Sequence, residues 1–225
     1  MLLFDHFFRF VAPYDCLNCG REGSLLCAWC RPDVALPLPS RCYRCHKLTI
    51  DSAVCGTCRR RTVLKHVWMA TQYDGAMKEL IRRFKFERAK DATFVLADIL
   101  DEAAPYYPAG TVISYVPTAT SRVRQRGYDQ AAELAKAFAR KRGLLPVLPL
   151  LYREGQARQV GATRQERLEQ LQSALRPRNQ GRIQGASIIL IDDIVTTGAT
   201  LEAASKILKQ AGAKSVNGLA IAQKQ

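Results

Sequence analysis

The chain has 225 residues, of which 48% are hydrophobic and 24% are charged, and this ordinary globular composition excludes a disordered or a fibrous protein. Lysine and arginine number 34 against 20 aspartates and glutamates, so the formal net charge is +14. Such an excess favours polyanionic partners, namely nucleic acid, phosphorylated metabolites or an anionic membrane surface, without choosing among them.

The opening segment, MLLFDHFFRFV, is apolar but is interrupted by Asp5, His6 and Arg9. No small-residue cleavage site follows it, as one would in a signal peptide. No stretch of the sequence approaches the roughly 18 apolar residues that a membrane span requires. We therefore expect a cytoplasmic protein without a transmembrane segment. The opening segment is expected to be a buried helix or arm, and docking on a membrane surface is the alternative.

All eight cysteines lie within the first 58 residues and form four CxxC pairs: Cys16 and Cys19, Cys27 and Cys30, Cys42 and Cys45, and Cys55 and Cys58. Two CxxC pairs complete the tetrahedral sulfur shell that zinc prefers. Seven residues separate the first two pairs and nine the last two, whereas eleven separate the second pair from the third. The spacing predicts two consecutive zinc ribbons. Because a shell of four thiolates leaves no position open for substrate, both zinc ions are expected to be structural.

We assign residues 1–64 to this double zinc ribbon and residues 65–225 to a second domain. Disulfides are disfavoured because a reducing compartment would not keep them. Basic residues accompany Trp29, Tyr43 and His46 in the ribbons, so we expect single-stranded DNA to bind there by stacking and phosphate contacts. Two alternatives stay open: that Trp29 fills the small ribbon core, and that the basic run Arg59–Arg61 is a solvated exit from the second ribbon.

From residue 65 onward, strands alternate with helices. Helices are predicted over Tyr73–Arg88, from Ala131 to a stop at Gly143, and over Ala199–Gln210. Strands are predicted over Thr111–Val116, Val147–Leu151, Ser187–Ile191 and Ser215–Ala222. This alternation predicts an α/β fold with a mainly parallel sheet and flanking helices. Since ligands bind beyond the carboxyl ends of such strands, the residues after Ile191 are the expected site.

The residues that follow Ile191 have the chemistry of a phosphate site. They are two acids and a short loop that leads into a helix, namely Asp192, Asp193, Thr196, Thr197, Gly198, Ala199 and Thr200. Backbone N–H groups, hydroxyls and the positive end of the helix dipole suit a phosphate. The carboxylates suit ribose hydroxyls and Mg²⁺. The alternative is that Asp192 and Thr200 only cap a loop and a helix.

The segment IILIDDIVTTGAT, Ile188 to Thr200, resembles the phosphoribosyl pyrophosphate (PRPP) signature of type I phosphoribosyltransferases. The chain as a whole resembles the ComF (GntX-like) family of DNA-uptake proteins. The motifs that carry this resemblance are the zinc ribbons, the FKF of residues 84–86, Val116-Pro117, Arg122, the run Arg126 to Gln130, and Gln159, Arg164, Glu166 and Arg167. Asp129 and Gln170 stand where the family usually has Asn, and Ala162 where Leu is common.

The resemblance implies a type I phosphoribosyltransferase fold in which the acidic pair meets the ribose hydroxyls and the loop binds the 5′-phosphate of PRPP, with Mg²⁺. It implies that Pro117 and Thr118 belong to the loop that receives pyrophosphate. Arg122, Arg124 and Arg126 would neutralise either pyrophosphate or nucleic acid. Independently of the resemblance, the span from Arg153 to Arg167 is polar and contains Gly155, Gly161 and four arginines, which favours a mobile cover over the site.

The expected function is that of a competence protein that binds single-stranded DNA and carries a domain for PRPP or a related nucleotide. Helicase or DNA-uptake proteins are its expected partners. The alternative is an active phosphoribosyltransferase that transfers phosphoribose to an unidentified acceptor. No catalytic residue is assigned from the sequence.

Overall fold

The computed structural model describes residues 14–86, 90–143, 146–154 and 173–224. The opening apolar segment lies outside the described residues. So do the expected cover beyond Glu154 and the family positions 159, 162, 164, 166, 167 and 170. What was expected of these segments stays a prediction, as does the domain boundary near residue 64.

Six strands are described, and four of them form one parallel sheet. In chain order they are β1 (Val67–Gln72), β2 (Val112–Tyr115), β3 (Leu151–Arg153), β4 (Leu175–Pro177), β5 (Ser187–Val195) and β6 (Ser215–Gln223). The sheet has the order β1-β6-β5-β2, and every neighbouring pair is parallel. Strands β3 and β4 pair antiparallel in a separate small sheet. The predicted mainly parallel sheet is confirmed.

Eight α-helices lie within the described residues. They are α1 (Arg31–Val34), α2 (Gly56–Arg59), α3 (Gly75–Phe86), α4 (Lys90–Ala103), α5 (Thr120–Arg126), α6 (Gln130–Lys141), α7 (Gln180–Ile183) and α8 (Ala199–Gln210). A short 3₁₀ helix covers Ile50–Ser52. The apolar faces predicted for α3 and α6 are buried, including Phe84 and Phe138. None of the described helices is long and apolar enough to cross a membrane.

Strand β5 is covered on both faces, which explains its continuous apolar run. Ile189 and Ile191 belong to a core cluster with residues of α3, α4 and α6 and with Cys16 and Leu25 of the first CxxC region. The alternate residues Ile188 and Leu190 belong to a second cluster with α8 and with residues of the second CxxC region. Each cysteine-rich half therefore packs into the core on its own side of the sheet.

Several elements differ from the sequence prediction. A strand over Val147–Leu151 is wrong: Val147 makes only an isolated bridge to Ile113, and the strand β3 begins at Leu151. Prolines 146 and 149 explain this, since proline cannot donate to a strand ladder. Strand β5 runs on past Ile191 to Val195, paired with β6. The sequence analysis missed β1, α4 and the short helix α5.

Candidate functional site

The acidic pair and the predicted pyrophosphate loop meet in one cavity of about 180 Å³ at the carboxyl ends of β2 and β5. Its lining includes Lys85, Pro117, Thr118, Arg122, Arg126, Arg153, Asp192, Asp193 and Thr200. Four of these side chains are cationic and two are anionic. The cavity therefore offers both a cation site and an anion site within a small volume.

The two carboxylates belong to consecutive residues near the end of β5, and both line the cavity. The backbone N–H of Asp193 donates to Oδ1 of Asp192 at 2.9 Å, and Nζ of Lys85 pairs with Oδ2 of Asp193 at 2.6 Å. Burial, together with the charge of Asp193, raises the pKa of Asp192 to about 8. Adjacent carboxylates that repel each other fit a divalent cation, since Mg²⁺ is commonly held by one or two carboxylates and by substrate phosphates.

The residues from Thr196 to Gly198 join the end of β5 to α8, whose first two residues are Ala199 and Thr200. Gly198 has a positive φ of 76° and is the N-cap residue of this twelve-residue helix. The backbone N–H groups of the first turn of α8 therefore follow it directly. The backbone N–H of Ala199 contacts Oγ1 of Thr197 at 3.4 Å. A positive φ is readily adopted by glycine, and a helix N-terminus favours an anion. The loop therefore fits a phosphate.

Asp129 holds the opposite wall of the cavity. Its carboxylate accepts from both the backbone N–H and the hydroxyl of Thr118, at 3.0 and 2.9 Å. It also caps α6 by accepting from the backbone N–H groups of Ala131 and Ala132. All four partners donate, so the carboxylate of Asp129 accepts these hydrogen bonds as readily as the side-chain oxygen of the Asn that is usual in the family. The departure from the family pattern leaves this contact intact.

The FKF end of α3 and the turn between α5 and α6 form one hydrogen-bonded unit. The hydroxyl of Tyr128 donates to the carbonyl of Phe84 at 2.6 Å, and Nε2 of Gln130 donates to the carbonyl of Lys85 at 3.1 Å. The guanidinium of Arg126 donates to Oε1 of Gln130 and lies 4.6 Å from the ring centre of Phe86. This unit places Lys85 and Arg126 in the cavity lining.

Lys85 was missed as a site residue in the sequence analysis, although the FKF segment had been noted for its family resemblance. Among the three predicted arginines, Arg122 and Arg126 line the cavity, and burial lowers the pKa of Arg126. Arg124 is exposed and is not among the lining residues. The three arginines are therefore not equivalent.

The eight cysteines gather into two clusters in the predicted pairing. Within each cluster, the four sulfur atoms all lie within 4.8 Å of one another; the first cluster is Cys16, Cys19, Cys27 and Cys30, and the second is Cys42, Cys45, Cys55 and Cys58. The backbone N–H of Cys27 donates to Sγ of Cys16 at 3.4 Å. A hydrogen bond from the backbone of Cys58 contributes most to lowering the pKa of Cys55 to about 7. Both clusters suit zinc, which binds thiolates.

The ribbon surface differs from the expectation for two aromatic residues. Tyr43 is only 1% exposed and Arg44 is ion-paired with Glu202, so stacking of a base on Tyr43 is wrong. Trp29 is 79% exposed, so the alternative that it fills the ribbon core is also wrong. The arginines of the run Arg59–Arg61 are exposed. The exposed surface of the cysteine-rich region therefore includes Trp29 and this run.

A second cavity, of about 290 Å³, lies at the amino ends of β2, β5 and β6. Its lining includes the aromatic residues Trp68, Tyr106 and Tyr107. No lysine or arginine is among its described lining residues. Since a phosphate needs cationic or N–H partners, the cavity at the carboxyl ends is the better phosphate site.

Comparisons with known proteins agree with this architecture. Residues 123–225 match the family model of the phosphoribosyl transferase domain. The chain is 30% identical over 222 residues to the competence protein ComFC of Bacillus subtilis (strain 168), covering 94% of this chain and 89% of that protein. It is 29% identical over 200 residues to the competence protein ComFC of Streptococcus pneumoniae (strain ATCC BAA-255 / R6), covering 87% and 86%.

A third relative matches less than half of the chain. The adenine phosphoribosyltransferase of Mycobacterium marinum (strain ATCC BAA-535 / M) is 34% identical over 105 residues, which cover 44% of this chain and 50% of that protein. The fold and the site define a protein of the type I phosphoribosyltransferase fold, with two four-cysteine clusters on its N-terminal side. The chain belongs to the ComF family, which includes the ComFC competence proteins.

Metal analysis of the reduced protein should find two zinc ions per chain, because each cluster supplies a complete sulfur shell. Cys16→Ser and Cys42→Ser should each remove one ion. Thr57→Ala, an exposed position between Cys55 and Cys58, should retain both. One ion shared by the two clusters, or no zinc in freshly purified reduced protein, would contradict this assignment.

Proposed function

We propose that this chain is a cytoplasmic competence protein that binds PRPP, or a related phosphorylated nucleotide, with Mg²⁺, and that also binds single-stranded DNA. The observation that carries the nucleotide site is the convergence of the acidic pair, Arg122, Arg126 and Thr118 in one cavity. A reducing compartment is supported by the eight thiols, which must stay unoxidised to bind metal.

Each part of the proposed site, which consists of the cavity and the adjoining loop, takes a different part of the ligand. Asp192 and Asp193 accept hydrogen bonds from the ribose hydroxyls, and the residues from Thr196 to Thr200 receive the 5′-phosphate. Pro117 and Thr118 lie against the pyrophosphate, whose charge is balanced by Arg122 and Arg126. Asp192 and Asp193 would hold Mg²⁺, which would supply further positive charge for the pyrophosphate.

Lys85 balances the acidic pair when no cation is bound. Its Nζ lies 2.6 Å from Oδ2 of Asp193, so the ammonium offsets the negative charge of that carboxylate. Mg²⁺ held by the acidic pair would compete with the Lys85 ammonium for the Asp193 carboxylate. The described lining carries four cationic and two anionic side chains, and this excess of positive charge suits the phosphates of such a ligand.

An active phosphoribosyltransferase is the second candidate, and the similarity to an adenine phosphoribosyltransferase favours it. We rank it second because the described lining of the cavity contains no aromatic side chain on which an acceptor base would stack. Its two acids are also already engaged with ribose and metal. Release of pyrophosphate from PRPP in the presence of bases, ammonia or nucleotides separates the candidates, and turnover that depends on the acceptor would promote the enzyme.

Asp193→Asn should abolish the Mg²⁺-dependent binding of PRPP, because the swap removes a charge with little change in shape. If Asp193 were only a cap, Asn would replace it at a cost of about a few tenths of a kcal/mol. Calorimetric titration with and without Mg²⁺ measures the difference, and Asp33→Asn in the exposed part of α1 is the matched control. Unchanged binding in both Asp192→Asn and Asp193→Asn would contradict the site.

The proposal for single-stranded DNA rests on exposed cations and an exposed ring. The run Arg59–Arg61 lies at the surface beside the second cysteine cluster, and Arg124 is exposed on α5. Trp29 offers a flat face to an unpaired base. Phosphate contacts to lysine and arginine give the affinity, whereas stacking selects single strands because their bases are accessible.

Affinity for an oligothymidylate should fall steeply as salt rises, since binding of each phosphate releases condensed counterions. Replacing Arg59, Arg60 and Arg61 together by Ala should reduce the magnitude of the slope of log K against log salt by about 2, because each lost phosphate contact contributes roughly 0.7. Replacing Lys136, Arg140 and Lys141 by Ala removes the same charge from α6, where two of the three are ion-paired, and should change the slope less.

Fluorescence anisotropy over a series of salt concentrations provides these slopes. Replacing Arg122, Arg124 and Arg126 together tests whether the arginines at and near the cavity also contact DNA. Affinity that does not change between low and physiological salt would overturn the proposal that the basic surface binds nucleic acid.

A further inference from the structure

Tyr43 connects the second cysteine cluster to the phosphate loop. It directly follows Cys42, one of the four sulfur ligands of that cluster, and both residues are almost completely buried. Its ring lies against the loop that leads into α8. A Cβ atom added to Gly198 would lie 2.4 Å from Cε2 of Tyr43, a distance that atoms in real structures do not tolerate. The ring and the loop backbone are therefore in direct contact.

The hydroxyl of Tyr43 is fixed at the first turn of α8. It donates to Oε1 of Glu202 at 2.6 Å, and it also lies 3.1 Å from Oγ1 of Thr62. Arg44, the next residue along the ribbon, forms an ion pair with the same carboxylate. Glu202 is itself 7% exposed, so its charge depends on such partners. Tyr43 and Arg44, which follow Cys42, thus contact both the loop and the helix that begins there.

A second link ties the same cluster to the sheet. The side-chain amide of Gln223, at the end of β6, lies 2.9 Å from Nδ1 of His46, which directly follows Cys45. Strand β6 pairs with β5 as far as Val195, where the phosphate loop starts. Residues next to the second cluster therefore contact α8, which follows the loop, and β6, which pairs with the strand that precedes it.

The first cysteine cluster lies on the opposite face of the sheet from the second. Cys16, Cys27 and Cys30 belong to the core cluster on the other face of the sheet, with residues of α3 and α4. Arg31, next to Cys30, bridges to Asp98 and Glu102 of α4. The two clusters provide an internal comparison, because they share their chemistry but differ in what they touch.

We propose that Tyr43 is a positioning residue for the phosphate loop, and that metal binding at the second cysteine cluster is thereby coupled to anion binding at residues 196–200. This inference deepens the proposed function and rests on it for the identity of the anion. The coupling is physical. A metal fixes the backbone at Cys42, the backbone fixes the Tyr43 ring, and the ring limits the conformations open to Gly198. Coupling is reciprocal, so an anion in the loop stabilises metal at the second cluster.

Amide hydrogen exchange over residues 196–202 tests the contact without requiring any ligand. Tyr43→Leu removes the ring, and Cys42→Ser removes a metal ligand, so each should accelerate exchange in this segment by about tenfold, a typical size for such coupling. Tyr43→Phe keeps the ring against Gly198 and should behave more like the wild type. Tyr106→Ala, an exposed aromatic position at the opposite end of the sheet, is the control for loss of a tyrosine.

Cys16→Ser is the control for loss of metal, since it should remove one zinc ion while leaving exchange over residues 196–202 unchanged. Equal acceleration in Cys16→Ser and Cys42→Ser would overturn the inference, because it would show general loosening of the protein. Unchanged exchange in both Tyr43→Leu and Cys42→Ser would overturn it as well.

Ligand binding then tests the reciprocal half of the coupling. Saturating PRPP with Mg²⁺ should slow the loss of zinc from the second cluster to a chelator, but not from the first, and Tyr43→Leu should remove this difference. If the wild type binds neither PRPP nor inorganic pyrophosphate, the proposed function fails. The exchange measurement still decides the positioning role of Tyr43.

Discussion

Strand β5 is buried on both faces and paired on both edges, and the position of the candidate site follows from that constraint. Only apolar side chains are suited to the middle of such a strand, so its carboxylates come at the carboxyl end, where the sheet opens. Because β2 runs parallel beside it, the loop that carries Pro117 and Thr118 opens at the same end. The cavity is thus a consequence of sheet topology.

Charge then determines what this cavity accepts. Asp192 and Asp193 repel each other, which contributes to the raised pKa of Asp192, and Lys85 offsets part of that cost. Arg122 and Arg126 place positive charge on the facing wall. A ligand that carries its own metal and its own phosphates satisfies both walls at once, whereas a simple anion or a simple cation satisfies only one.

The sequence was sufficient to predict the parallel sheet, the helices that begin near Ala131 and Ala199, and the pairing of the cysteines. These features depend on local pattern and spacing. It was insufficient for Lys85 and Tyr43, whose roles arise from contacts with residues more than a hundred positions away, namely Asp193 and Gly198. The sequence was also insufficient to predict the burial of Trp29, because a tryptophan in a small ribbon has the same local pattern whether it packs inside or lies at the surface.

We propose that the acidic pair of β5 holds PRPP with Mg²⁺ in the cavity, and a crystal structure of the protein grown with both is the decisive test. We expect a metal ion bound by a carboxylate of the pair, the 5′-phosphate against residues 196–200, and Lys85 moved away from Asp193. An intact ion pair between Lys85 and Asp193, with PRPP bound elsewhere or not at all, would contradict it.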